Sequence, residues 1–200
     1  MEQRKNQYLV QGSILAIASI ITRIIGMIYK IPMTTMIGRE GMAYYNTAYE
    51  IYSIVLILSS LSIPLALSKL ISAREQNKEY RTSARIFRLT MLFATITGGA
   101  ASLIIWFGAE YFAELTGYPS AKYPLRVLAP TLFVVAVLGV LRGYFQGRRT
   151  MVPTAVSQII EQIVNAVISI LAAYLLMRVF QSDETQAARG AAGGTLGTLC

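Results

Sequence analysis

One arginine, Arg23, stands in the middle of an apolar stretch from Leu9 to Met36, with roughly 20 Å of helical rise to either end. A guanidinium at that depth does not easily snorkel to water. Burying it against lipid would cost at least ~2.5–3.5 kcal/mol. The chemistry it offers is anion binding, because its planar fork matches phosphate oxygens. Steps of three and four place Gly12, Ala16, Ser19, Arg23, Gly26 and Lys30 on one helical face. This small-and-basic stripe is expected to face a polar cavity. Two roles stay open for Arg23. One is a phosphate contact. The other is a structural ion pair with Glu161 or Glu50, which a protein retains because breaking a buried pair is costly. Lys30 lies nearer the end of the stretch, where it either joins Arg23 at the anion or snorkels to the interface.

A second constellation is Thr154, Gln158, Glu161, Gln162, Asn165 and Ser169. Helical spacing makes it one polar stripe on an otherwise apolar segment. Glu161 lies roughly 13 Å from the start of that segment. A carboxylate there needs a cation, a proton or water. The stripe is read either as hydrogen-bonding glue between helices or as a cavity wall and coupling-ion ligand, with Gln158, Glu161, Gln162 and Asn165 as its candidates. Gly26 and Pro64 are candidate hinges. Gly26 is small, and Pro64 removes a backbone donor and should kink its helix. Pro130 carries the same expectation. Arg142, Arg148 and Arg149 read as topology anchors at the cytoplasmic surface, with attraction of anionic headgroups as the other role open to them.

The elements that position these residues are apolar runs of about 20 residues, the length that crosses a bilayer as a helix. They fall at about 9–36, 44–68, 86–108, 124–145 and 152–178. The apolar start of a sixth follows from about 187, read as a truncated span rather than a flexible tail, and the chain reads as a fragment of a longer one or as one lobe of two assembled copies. In that last segment Gly190 and Gly194, and Gly193 and Gly197, have the spacing of close helix–helix approach. The expected fold is all-α, a polytopic membrane helix bundle, since a lipid-embedded backbone must satisfy its own hydrogen bonds.

Composition agrees. The chain is 54% hydrophobic and 14% charged, with a mean hydropathy of +0.52; soluble domains carry about 25% charged residues. The net charge of +8 does not indicate nucleic acid, because the basic residues sit between apolar runs. Arg4, Lys5, Lys69, Arg74, Lys78, Arg81, Arg85, Arg88, Arg142, Arg148 and Arg149 fall on one side; Lys30, Arg39, Lys122, Arg126, Arg178 and Arg189 fall on the other. The richer side is expected to be cytoplasmic, and with it the N-terminus. The segment 69–85 is expected to be a cytoplasmic loop with an amphipathic helix leading into the third span. The 109–123 loop is expected to face outward with an aromatic belt. There is no histidine and only one cysteine, Cys200. Histidine-based metal sites and histidine acid–base catalysis are therefore excluded within the chain, and no cofactor or metal is expected.

Several stretches resemble the multidrug/oligosaccharidyl-lipid/polysaccharide exporter superfamily, in its polysaccharide biosynthesis and stage V sporulation protein B branch, which is similar to the lipid II flippases. They are Thr22-Arg23-Ile24-Ile25-Gly26, Ile63-Pro64-Leu65-Ala66-Leu67-Ser68-Lys69, and the block from Leu141 to Asn165, LRGYFQGRRTMVPTAVSQIIEQIVN. The resemblance implies the N-terminal lobe of a two-lobed helical transporter. It implies alternating-access flipping of undecaprenyl-pyrophosphate-linked sugars or a peptidoglycan precursor across a bacterial cytoplasmic membrane. It also implies that Arg23, which matches the branch's first-span arginine, lines the cavity. Lipid II flippases commonly add an arginine six residues later; here that position is Tyr29, with Lys30 beside it. The expected partners are the lipid-linked substrate, the bilayer and a coupling cation. Two other functions compete. A drug or cation antiporter would prefer acidic cavity walls. A membrane glycosyltransferase or phosphatase would need acidic or histidine-bearing loops, and the carboxylates here pair only at Asp183-Glu184.

Overall fold

Apolar runs this long leave the backbone no partner but itself, and in the computed structural model every element among the described residues is a helix. These residues are 2–59, 62–179 and 186–199. The elements are α1 (Glu2–Ser59), α2 (Ser62–Gln76), α3 (Tyr80–Leu115), a 3-10 turn (Pro119–Ala121), α4 (Lys122–Gly147), α5 (Val152–Val179) and α6 (Gln186–Leu199). The side chains of Arg4 and Lys5, the polar loop 180–185 and Cys200 lie outside the described residues. Four runs among the described residues are long and apolar enough to cross a membrane: Val10–Gln76, Tyr80–Leu115, Pro119–Gly147 and Val152–Val179. The chain is a multi-pass membrane protein.

The first run contains both of the first two expected spans. Its α1 is 58 residues long and is broken at Gly38, where φ is 69° and ψ is −176°. That backbone region is essentially restricted to glycine, so the chain reverses there without a loop. The expected loop 69–85 is not a loop. Instead α2 continues to Gln76, residues 77–79 make a tight turn, and α3 starts at Tyr80. Likewise α3 extends to Leu115 and α4 starts at Lys122, which leaves little of 109–123 outside helices. Pro130 lies inside α4 without ending it.

The bundle has two ends. Gly38, the α3–α4 turn and the start of α6 lie at one; the turns at 77–79 and 148–151 lie at the other. At the Gly38 end, Glu110 sits beyond the apolar part of α3. It accepts a hydrogen bond from Lys122 Nζ at 3.0 Å and has Arg126 at 3.5 Å.

Small residues set the packing. α4 packs on α3, α2, α1 and α6. Its Gly139, Gly143 and Gly147 form a groove that receives Pro64, Ser68 and Ile71 of α2. Pro64 occupies the first turn of α2, where its missing donor costs little. α6 is wedged among α5, α4 and α1. Its Ala188, Gly190, Ala191, Ala192, Gly193, Gly194, Thr195 and Gly197 are all buried. A Cβ on Gly193 would lie 2.7 Å from the backbone of Ala172 in α5. Glycine spacing in this segment thus corresponds to real close approach.

Candidate functional site: a basic cleft between α1 and α5

The apolar exterior of α1 is carried by Ile17, Ile20, Ile24, Met27, Ile28 and Ile31, which are exposed. Between α1 and α5 lies an open cleft of about 520 Å³. It is lined by Thr22, Arg23, Gly26, Met27, Tyr29, Lys30, Tyr45, Tyr49, Gln162 and Asn165. It brings together five residues singled out from sequence: Arg23, Gly26, Lys30, Gln162 and Asn165. Gln158, Glu161 and Pro64 are not among its lining residues.

Each lining group has a local reason for its place. Arg23 and Lys30 lie seven residues apart, two helical turns on one face. Both are exposed, and neither has a carboxylate partner among the described residues. Thr22 Oγ1 donates to Ser19 O at 2.9 Å, and Ser19 Oγ donates to Leu15 O at 2.8 Å. Those hydroxyls are thus engaged with their own helix. Gly26 keeps helical dihedrals; the break in α1 is at Gly38. What Gly26 provides is room, since a Cβ there would stand 3.3 Å from Gln162 Nε2. Asn165 is only 8% exposed, and its Oδ1 accepts from Ser169 Oγ at 2.9 Å. Its amide nitrogen is left as the group able to donate.

An aromatic wall closes the side of the cleft toward the core. Tyr29 and Tyr45 are buried, with their hydroxyls 3.4 Å apart. Tyr45 and Tyr49 stack with centroids 4.8 Å apart. The Tyr49 hydroxyl and Thr198 Oγ1 of α6 are 2.6 Å apart. Tyr29 is the residue found where an arginine was expected from the resemblance, and it turns into the core rather than carrying charge.

Arg23 pairs with neither Glu161 nor Glu50 among the described residues. The cation of Glu161 is Arg142, on α4: Arg142 Nη2 to Glu161 Oε2 is 2.5 Å, and Arg142 Nε donates to Ser157 Oγ at 3.2 Å. Arg142 is therefore more than a surface anchor, because its long side chain reaches back along the bundle to neutralise the deep carboxylate. Gln158 lies on the same stripe. Its Oε1 is buried without a protein hydrogen-bond partner among the described residues, as is Thr154 Oγ1. The stripe on α5 thus divides. Gln162 and Asn165 face the cleft, while Glu161, together with Ser157 from outside the stripe, binds Arg142 of α4.

Residues 9–197 match the profile of the family described as polysaccharide biosynthesis protein. The chain belongs to that family. Among polysaccharide biosynthesis relatives, it is 33% identical over 182 residues to the lipid II flippase MurJ of Bacillus subtilis (strain 168), covering 86% of this chain and 34% of that protein. It is 28% identical over 162 residues to stage V sporulation protein B of the same organism, covering 80% of this chain and 31% of that protein. It is 29% identical over 196 residues to the uncharacterized membrane protein YabM, covering 98% and 36%. The chain spans about a third of the length of the curated relatives it matches. No solved structure matches it.

Sequence reasoning missed the tyrosine wall and the Arg142–Glu161 pair. The four-residue step from Tyr45 to Tyr49 was a usable signal for the wall. The pair had no such signal, because helix periodicity says which residues share a face but not which face a neighbouring helix presents.

Proposed function

We propose that this chain forms the cation-bearing lobe of an exporter that flips a lipid-linked, pyrophosphate-bearing glycan or peptidoglycan precursor across the membrane by alternating access. It acts as a transporter rather than an enzyme, with the N-terminus on the cytoplasmic side. The observation that carries this reading is the cleft: an exposed arginine and lysine, without carboxylate partners among the described residues, beside amide donors and an aromatic wall. Such a site favours an anion by charge and by hydrogen bonds. The cleft is open on one side, which suits a substrate whose tail stays in lipid. The identities with a lipid II flippase and with stage V sporulation protein B support the same substrate class.

A cation antiporter is the weaker reading. The deep acid it would use, Glu161, is occupied by Arg142 and does not line the cleft. A coupling cation, if one is used, is therefore expected to meet Gln162 and Asn165 rather than a free carboxylate.

The test is transport of a fluorescent polyprenyl-pyrophosphate-linked sugar by the chain within its full-length transporter, reconstituted in liposomes. Arg23→Ala is expected to lower the rate by at least about tenfold, since a hydrogen bond to a charged group contributes ~1.5–3 kcal/mol. Arg23→Lys should retain part of it. Undiminished transport by a correctly inserted Arg23→Ala protein would remove the phosphate role.

A further inference from the structure

The end of the bundle opposite Gly38 holds a second cavity, of about 450 Å³, between α1, α2 and the α4–α5 turn. Gln11, Ser68, Lys69, Ser72, Gln76, Gln146 and Arg149 supply its polar lining, and no aspartate or glutamate takes part among the described residues. Neighbouring cations are mostly neutralised: Arg74 by Glu79, Arg148 by Glu75, and Arg142 by Glu161. Lys69 is exposed and has no ion-pair partner among the described residues. The acid closest in sequence on α2, Glu75, is directed to Arg148 and to Ser83 Oγ.

The cavity's frame is held in place. Gln11 Oε1 accepts from the Met151 backbone N–H at 2.8 Å, tying α1 to the start of α5. Arg149 takes a left-handed conformation, φ 62°, in the turn that brings it to the rim. Gly12 lines this cavity, while Gly26, Arg23 and Lys30 line the cleft. All four belong to one face of α1, with Gly12 and Arg23 roughly 16 Å apart by helical rise.

We propose that this cavity is a second anion site, built to hold a lipid-borne phosphate or pyrophosphate headgroup before it moves along α1 to the cleft. Lys69 supplies a point charge for phosphate. The Ser68 and Ser72 hydroxyls and the Gln146 amide supply donors. The anion site stands on the cavity alone; its loading role rests on the transport reading.

The experiment is a binding titration of the purified chain in phosphatidylcholine nanodiscs, using farnesyl pyrophosphate and inorganic pyrophosphate as probes. The intact chain is expected to bind farnesyl pyrophosphate at two sites. Lys69→Gln should weaken one by roughly tenfold and leave the other, whereas Arg23→Ala should do the converse. Lys69→Arg should restore the first site, and unchanged circular dichroism would show that each variant is folded. If Lys69→Gln changes neither site while Arg23→Ala still removes one, the second site is overturned and the cleft reading stands. If Arg23→Ala alone has no effect, the cleft reading fails and the anion site survives. Inorganic pyrophosphate binding at the Lys69 site as tightly as farnesyl pyrophosphate would overturn the loading role, because the site would then select the free anion.

Discussion

Arg142 and Arg23 show how two identical side chains acquire different jobs. Arg142 is 19% exposed and is matched by a carboxylate and a hydroxyl on the facing helix; Arg23 is exposed to a cleft and has no matching acid. The pair with Glu161 is intermediate between a surface and a buried bridge, because the carboxylate is 40% exposed. Its loss is expected to cost ~1–2 kcal/mol, between the exposed and buried limits. Glu161→Gln should therefore lower thermal stability in detergent while leaving transport close to that of the intact protein. Arg142→Met combined with Glu161→Leu should recover most of that stability, since neither charge is then stranded. A transport defect in Glu161→Gln at full stability would assign the carboxylate to ion coupling instead. The contrast also marks what was legible at this scale. Polar residue types at helical spacing pointed to a polar interior, and Arg23, Lys30, Gln162 and Asn165 do share one cleft. Pairing was not legible, since it depends on how α4 and α5 are rotated toward each other.

Among the elements, α2 and α6 owe their positions to glycine. On α4, Gly143 is fixed in identity by Pro64, because a Cβ would come within 2.7 Å of the Pro64 carbonyl oxygen. A backbone atom cannot swing away as a side-chain tip can. Gly143→Ala is expected to cost ~1–3 kcal/mol through overpacking, read as a lowered unfolding temperature. Gly99 on α3 is the control. A Cβ there meets only a Phe133 ring carbon at 3.9 Å, so Gly99→Ala should be neutral or gain up to ~1 kcal/mol from helix propensity. Equal losses in the two variants would show that the groove is not the constraint. Pro64 packs against α4 from the first turn of α2; the expected kink would fall at 60–61, which lie outside the described residues, and the break inside α1 is at Gly38. Gly38 falls in the gap between the first two apolar runs, just before Arg39 and Glu40, so a break there was legible; that one glycine makes it without a loop was not.

For the whole molecule, the distribution of basic residues predicts orientation. The turn at 77–79 should face the cytoplasm and the turn at 116–118 the outside. In a Cys200→Ser background, Lys78→Cys and Thr116→Cys both place a thiol at an exposed position. A membrane-impermeant maleimide should label Thr116→Cys in intact cells, and Lys78→Cys only after lysis. The reverse pattern would invert the topology and place the Lys69 cavity on the outer face, where it could not load a precursor made inside.

Hydropathy and 3.6-residue periodicity, both local, are enough to make this protein a membrane-spanning helical bundle with a basic stripe on its first helix. They leave open that Arg23 shares a cleft with amides and tyrosines rather than pairing with Glu161, that Arg142 takes that carboxylate, and that a second basic cavity lies at the far end of the same helix face. Those outcomes depend on the rotation and close approach of distant helices, set by where glycines let one backbone settle against another.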